Sequence, residues 1–335
     1  MPSQSFLSDS AADIEHIAHG LQQGGVFALP TETVYGLAGN ALNPLALEKI
    51  FKTKGRPHFD PLIIHISEIK QAEELALTNE AFHALAQSFW PGPLTLILLK
   101  KPCVPNIATA NRPTVALRMP AHTTFRKVLK ACGLPLAAPS ANAFGYVSPT
   151  TAQHAFDCLG VSINGILDGG PCTHGIESTI LDISDPRTPT LYRPGPIPLE
   201  ALQTELNIPI RNQTTALEPQ EGSPQGLQAP GLLSKHYSPQ TPLKLVAFGA
   251  LKEIPTVPRG AAHLYFQAPT QEQNTSHVYS LSQNGDLNEA ARSLYDQLRT
   301  LDLQGYSQIF VEQAPNTGLG LAINNRLKRA AKPKA

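Results

Sequence analysis

The sequence predicts an α/β protein in two parts: a twisted sheet of mixed direction with helices over it, then a small, open, Rossmann-like α/β module. Three observations predict this. Over residues 1–206, short apolar runs of strand character are interleaved with stretches of helical periodicity, but not in strict alternation, which favours a mixed sheet. From about Glu205 to Thr241 the composition shifts to Gln, Thr, Pro, Ser and Gly and the apolar periodicity lapses, as in a linker. Strand and helix patterns then return. The organisation read from this is a first domain at 1–206, a linker or lid at 207–241 and an accessory domain at 242–335, and 335 residues suffice for two domains.

The elements follow in order. Ser8 or Asp9 can cap a helix running to Gln23, with Ile14, Ile17, Ala18 and Leu21 on one stripe and Gly24-Gly25 as its stop. A strand at 26–29 delivers Pro30-Thr31-Glu32-Thr33 to a turn. Asn43-Pro44 opens the next helix, which turns Leu47, Ile50 and Phe51 inward and brings Lys54 to its end. Strands are expected at 62–66, 94–99, 114–119, 134–138, 166–167 and 178–183, and helices at 79–89 and 123–131. Ser148-Pro149 reads as another helix start, a capping hydroxyl before a proline. In the second part, strands are expected at 243–247, 263–266, 278–281 and 309–312, with helices at 286–301 and 319–331. No G-x-G-x-x-G stands at a strand-to-helix turn there, so no dinucleotide is assigned.

Lys plus Arg and Asp plus Glu both number 26, so there is no net charge, and an extensive phosphate-neutralising RNA complex is disfavoured. Cys103, Cys132, Cys158 and Cys172 form no C-x-x-C pair and read as reduced thiols. No stretch approaches a membrane span and the N-terminus has no signal-peptide pattern, so a soluble, cytoplasmic protein without a membrane partner is expected.

The segment Lys54-Gly55-Arg56-Pro57 plants two cations at a helix-to-strand junction, where glycine permits an unusual backbone and proline stiffens it. An ammonium and a guanidinium fork held there suit phosphate, although such pairs in loops are more often solvated charge. In the strand at 114–119, period-two geometry puts Thr114, Ala116 and Arg118 on one face. Two readings stand: an edge strand with a charge in water, or an anion site on a sheet face. Ser140 and Asn142 follow the strand at 134–138, at the end where open α/β sheets bind ligands, or else they make local turn bonds. Glu32 is a candidate base, magnesium neighbour or turn cap. There is no P-loop, no H-E-x-x-H and no G-x-S-x-G, so covalent catalysis has no evident nucleophile.

Taken with Leu29-Pro30-Thr31-Glu32-Thr33-Val34-Tyr35-Gly36-Leu37, Thr114-Val115-Ala116-Leu117-Arg118-Met119-Pro120 and Ala138-Pro139-Ser140-Ala141-Asn142, the chain resembles the YrdC-like family of L-threonylcarbamoyladenylate synthases. Ser234-Lys235-His236-Tyr237 and Gly320-Leu321-Ala322-Ile323-Asn324-Asn325-Arg326-Leu327 resemble its long, two-domain form. The resemblance implies a YrdC-like sheet. It also implies a nucleotidyltransferase that condenses L-threonine, bicarbonate or carbon dioxide, and ATP, with Mg2+, into L-threonylcarbamoyladenylate and pyrophosphate. That product would feed a tRNA threonylcarbamoyl transferase complex.

By the same resemblance Lys54, Arg56, Ser140 and Asn142 are the catalytic, triphosphate-holding set. Thr114, Ser148, Arg193 and Tyr237 join the nucleotide contacts, and Thr31, His65, Arg118 and Ser178 bind L-threonine, with no protein metal ligand assigned. Residues 234–237 would lie over the pocket. Two alternatives remain. A carbamoyl-adenylate-forming enzyme of hydrogenase maturation would carry acylphosphatase and zinc-finger segments, and neither is found here. An RNA-binding module would use the cations Arg326, Lys328, Arg329, Lys332 and Lys334, in a weak or transient tRNA contact; a helix C-terminus also attracts such charges.

Overall fold

The computed structural model describes residues 6–214, 227–233, 236–251, 260–269 and 277–332. Helix α1 (Ala11–Gln22) starts one or two residues later than expected, because the Ser10 hydroxyl accepts the Asp13 N–H. Strands β1 (Phe27–Leu29) and β2 (Gly36–Asn40) then form an antiparallel pair. No strand is expected at β2. The first of its two glycines is explained by crowding: a Cβ at Gly36 would stand 3.1 Å from that of Ala138. Helix α2 (Pro44–Lys54) has the expected asparagine cap and first-turn proline, and ends at Gly55 in the left-handed region, φ 62°.

The first domain continues through β3 (Ile63–His65), α3 (Ile69–Leu75), β4 (Ala76–Leu77), α4 (Glu80–Phe89), β5 (Leu94–Lys100), β6 (Thr114–Arg118), α5 (Thr123–Cys132) and β7 (Leu136–Ala137). It ends with α6 (Ala152–Leu159), β8 (Gly165–Ile166), β9 (Thr179–Asp182), β10 (Thr190–Arg193), α7 (Leu199–Leu206) and β11 (Arg211–Asn212). The resulting eleven-stranded sheet runs β11-β10-β9-β5-β6-β3-β7-β2-β1-β8, with β4 on β5. Both directions occur: β3 is parallel to β6 and antiparallel to β7. Since β11 pairs with β10, this sheet reaches beyond Leu206.

A second helix start also differs from its expectation. Ser148 does not cap a helix; α6 begins at Ala152, capped by Thr151, whose hydroxyl accepts the His154 N–H. The Ser148 hydroxyl is taken instead by a buried carboxylate, Glu177.

The second domain is a four-stranded, wholly parallel sheet of order β12-β15-β13-β14, built from β12 (Leu243–Val246), β13 (Ala261–Gln267), β14 (Val278–Ser282) and β15 (Gln308–Glu312). Helices α8 (Leu287–Leu303) and α9 (Leu319–Ala330) pack with it. Its core is not self-contained. Val34, Val147 and Ile176 of the first domain and Tyr237 of the linker join Leu294, Tyr295, Ile323 and Leu327 in one buried cluster. The apolar stripes of α8 and α9 thus seat against the first domain as well as against their own sheet.

Candidate active site

Strand β6 lies inside the sheet, between β5 and β3, so Arg118 does not face water. It is 3% exposed and paired with Glu32 at 2.7 Å, while it donates to the Thr33 hydroxyl at 2.9 Å and the Gly92 carbonyl at 3.2 Å. Burial is the largest influence on the Glu32 carboxyl and raises it, but the Arg118 charge and hydrogen bond together with backbone N–H donors outweigh burial, and the carboxyl is lowered. The β1–β2 turn places Thr31 beside this pair. Its hydroxyl donates to the Val34 carbonyl at 2.7 Å and meets the Thr33 hydroxyl at 2.8 Å.

His65, at the end of β3, lies next to Arg118 in register. Burial, reinforced by the Arg118 charge, brings its imidazole down to about 3, so it stays neutral. Ser178 precedes β9. Its hydroxyl meets that of Thr95 at 2.7 Å and accepts from Arg193 at 3.0 Å; Arg193 also donates to the Ser178 carbonyl at 2.9 Å.

The turn after α2 carries Arg56 inward. Its guanidinium pairs with the fully buried Asp60 at 3.0 Å and donates to the Pro61 carbonyl at 2.7 Å. Lys54 is buried too, and its ammonium donates to the backbone carbonyls of Ser140 and Asn142. Burial, then the neighbouring Arg56 charge, brings this ammonium down to about 7. The two motifs singled out in the sequence therefore meet, cation against turn backbone.

Thr31, Arg56, His65, Arg118, Ser140, Ser178, Arg193 and Tyr237 all line one small cavity of about 50 Å³. Lys54, Asn142 and Ser148 stand outside its lining, and Thr114 lies at the far end of β6, opposite Leu99. Pro230, Gly231, His236 and Tyr237 of the linker complete the cavity wall. Tyr237 is 1% exposed, with its ring against those of His236 and Tyr295. Ser234 and Lys235 of the expected covering segment lie outside the described residues, as does Lys334 of the basic tail. A second, larger cavity of about 1240 Å³ between α6, the linker and α8 contains none of the expected site residues. Its arginine, Arg299, is spent on the Ser148 and Val147 carbonyls and the Tyr146 ring.

Among the described tail cations, Lys328 and Lys332 are exposed, whereas the two arginines are spent on protein groups. Arg329 donates to the Leu233 and Thr214 carbonyls, and Arg326, 1% exposed, pairs with Glu177 at 2.8 Å. Glu177, which also lines the cavity, was not anticipated from sequence. The available signal was Arg326 itself, a charge on the apolar stripe of Ile323, Leu327 and Ala330, where a partner is required. Among the described residues no group of three or more His, Cys, Asp or Glu side chains is placed to hold a metal. None of their helices is long and apolar enough to cross a membrane.

The chain is similar to known proteins along nearly its whole length. Residues 19–195 match the Sua5/YciO/YrdC family model, described as telomere recombination. Residues 197–332 match the model described as threonylcarbamoyl-AMP synthase, C-terminal domain. The chain is 39% identical to threonylcarbamoyl-AMP synthase of Bacillus subtilis, over 97% of this chain and 94% of that protein. It is 38% identical to that of Pyrococcus abyssi, over 93% and 92%. The crystal structure of P. abyssi Sua5 complexed with L-threonine superposes with a TM-score of 0.85 at 35% identity, covering 96% of this chain and 95% of that one.

Proposed function

The chain belongs to the threonylcarbamoyl-AMP synthase family in its two-domain form, and from that premise we propose how its residues carry the reaction. The enzyme makes L-threonylcarbamoyladenylate from L-threonine, bicarbonate or carbon dioxide, and ATP, releasing pyrophosphate. One observation carries the residue-level reading: three arginines, the hydroxyl residues Thr31, Thr33, Ser140 and Ser178, and the neutral His65 converge from several elements on a single cavity closed by the linker.

In this reading Arg118, Thr31, Ser178 and His65 receive L-threonine, with Arg118 turning part of its fork from Glu32 to the substrate carboxylate. The threonine ammonium loses a proton to solvent, the free amine adds to carbon dioxide, and a second proton leaves the nitrogen to give a carbamate. A carbamate oxygen then attacks the α-phosphorus of ATP, and the bond to pyrophosphate breaks in line. Arg56, Arg193 and the Ser140–Asn142 turn meet the charge that gathers on the leaving group, and Lys54 fixes that turn from behind. Tyr237 covers the nucleotide, and Ser148, through Glu177, shapes the same wall. Thr114 is too far along β6 to join this set without rearrangement.

Glu32 and Glu177, the carboxylates at the pocket, are each engaged by an arginine, so no carboxylate cage for magnesium stands among the described residues. Mg2+ is therefore proposed to arrive with ATP, as part of the substrate. Pro230, Gly231, His236 and Tyr237 of the linker wall the small cavity, and in this reading the linker moves aside to admit ATP. Closure then keeps water from the labile adenylate. The domain division proposed is 1–206, 207–241 and 242–335, with β11 completing the first sheet. The product is proposed to pass in the cytoplasm to a tRNA threonylcarbamoyl transferase.

Incubating the protein with ATP, magnesium, bicarbonate and L-threonine tests this. Pyrophosphate and threonylcarbamoyladenylate should appear together, and omission of threonine or bicarbonate should abolish both. Pyrophosphate release that ignores either omission would defeat the reading.

A further inference from the structure

The loop that carries Glu177 and Ser178 is held from the second domain. Arg326 on α9 donates through Nε to Glu177 Oε2 at 2.8 Å, through Nη2 to the Glu177 carbonyl at 3.2 Å and through Nη1 to the Pro194 carbonyl at 2.9 Å. Tyr295 on α8 donates its hydroxyl to the same Oε2 at 2.9 Å, and Ser148 donates to Oε1 at 2.6 Å. The Glu177 carboxylate is 6% exposed as a residue and satisfied on both oxygens. The next residue, Ser178, faces the cavity and accepts from Arg193.

The same guanidinium serves the linker. Its carbon lies 5.4 Å from the centre of the Tyr237 ring, and that ring stacks on Tyr295 at 5.8 Å with a 24° tilt. One arginine therefore touches the substrate-side loop and the covering residue at once. An ammonium could not do this, because it lacks the planar fork that reaches carboxylate, two carbonyls and ring from one position. A buried polar network with all members paired fixes geometry; with one member removed it loses that definition.

We infer that Arg326 is a positioning residue for adenylate synthesis: it aligns Glu177, and through it Ser148 and Ser178, while pressing Tyr237 onto the pocket. The second domain thus takes part in a reaction carried out at the first. This rests on the functional reading above and adds to it a residue outside the first domain and the linker.

The test uses the full-length chain as wild type, Arg326→Lys and Tyr295→Phe. The quantities measured are kcat and KM for L-threonine and for ATP, the ratio of intact adenylate to pyrophosphate, and the melting temperature. Tyr295→Phe removes one hydroxyl and no packing volume, so it folds, and it raises the KM for threonine about threefold. Arg326→Lys lowers kcat/KM about tenfold, as a small misplacement of binding groups does, and lowers the fraction of product recovered as intact adenylate. A purely structural arginine would lower the melting temperature and leave kcat, KM and product ratio of the folded enzyme unchanged; that result overturns the inference. If Arg326→Lys does not fold, Tyr295→Phe decides on the same constants. A wild type that forms no adenylate overturns the functional reading and this inference together, whereas an active wild type with unaltered variants overturns the inference alone.

Discussion

The Lys54 ammonium donates to the Asn142 backbone carbonyl at 2.6 Å, and the Asn142 side chain meanwhile donates to the carbonyls of Ala143 and Tyr146 at 2.7 and 2.9 Å. The lysine of one motif thus braces the turn of the other. An ammonium has three hydrogens, and the Ser140 and Asn142 carbonyls take two. Lys54→Ala should leave both carbonyls buried without that donor. The expected result is a loss of stability of about 1–3 kcal/mol along with a fall in pyrophosphate release. Denaturant titration beside the activity assay checks this: an inactive variant of undiminished stability would mean that Lys54 acts on phosphate alone.

Stability in acid should depend on Glu177. Burial opposes ionisation of this carboxyl, but the Arg326 and Arg193 charges and the hydrogen bonds from Ser148 and Arg326 outweigh it and hold it at about 2, against an ordinary 4.5. Because the folded-state value is depressed, the contribution is present in full above pH 4.5 and is lost as pH falls toward 2. The amount is on the order of 3 kcal/mol. Glu177→Gln should start less stable at neutral pH, since it strands Arg326, and should lose less on acidification over that window. Parallel slopes for the two proteins would remove Glu177 from the account.

Much of the fold was legible because it rests on local rules. The α2 cap at Asn43, its proline and its terminal Gly55 fix where Lys54 ends up, and the strand patterns that return after residue 242 place the second-domain strands within a few residues. The parts not legible depend on distant partners. Strand β2 contains two glycines and is not among the expected strands; it is held by β1 and β7, which flank it. Ser148 looks like a helix cap in sequence, but a carboxylate from the loop before β9 claims its hydroxyl across the interior. The basic C-terminal helix looks solvated, yet Arg326 and Arg329 are spent on the first domain and the linker. Sequence spacing shows that a charge sits on an apolar stripe; only the packing says what neutralises it.

Substrate choice should follow the hydroxyl-rich wall. Thr31, Thr33 and Ser178 surround Arg118 in the cavity, and their hydroxyls pair with one another or with neighbouring protein groups in the empty site. A ligand hydroxyl can enter that arrangement, and its absence leaves polar groups unpaired. L-Threonine should exceed L-valine in kcat/KM by at least about a hundredfold, and L-serine by less, since serine lacks only a methyl group. Competition kinetics with the three amino acids would expose the error if valine and threonine turn over alike.

The fit of the linker against the pocket can be tested at Gly231. This residue has φ 74°, where a side chain is strained, and a Cβ placed there would stand 2.7 Å from the Tyr237 hydroxyl and 3.4 Å from Arg193 Nη1. The next tyrosine atom, Cζ, is 3.8 Å away, so the tyrosine clash belongs to the hydroxyl oxygen. That hydroxyl is buried and has no hydrogen-bond partner among the described residues. Tyr237→Phe should therefore leave the fold as stable or gain about 1 kcal/mol, by removing an unsatisfied group. Gly231→Ala should lose roughly 1–2 kcal/mol to backbone strain, with the clash added, and should recover less intact adenylate per pyrophosphate because the linker seats poorly. The double variant separates the two costs. Phenylalanine relieves the steric part and leaves the strain, so the pair should be more stable than Gly231→Ala and less stable than Tyr237→Phe. Strict additivity of the two single changes in thermal melts would show that Gly231 and Tyr237 are not in contact in the closed protein.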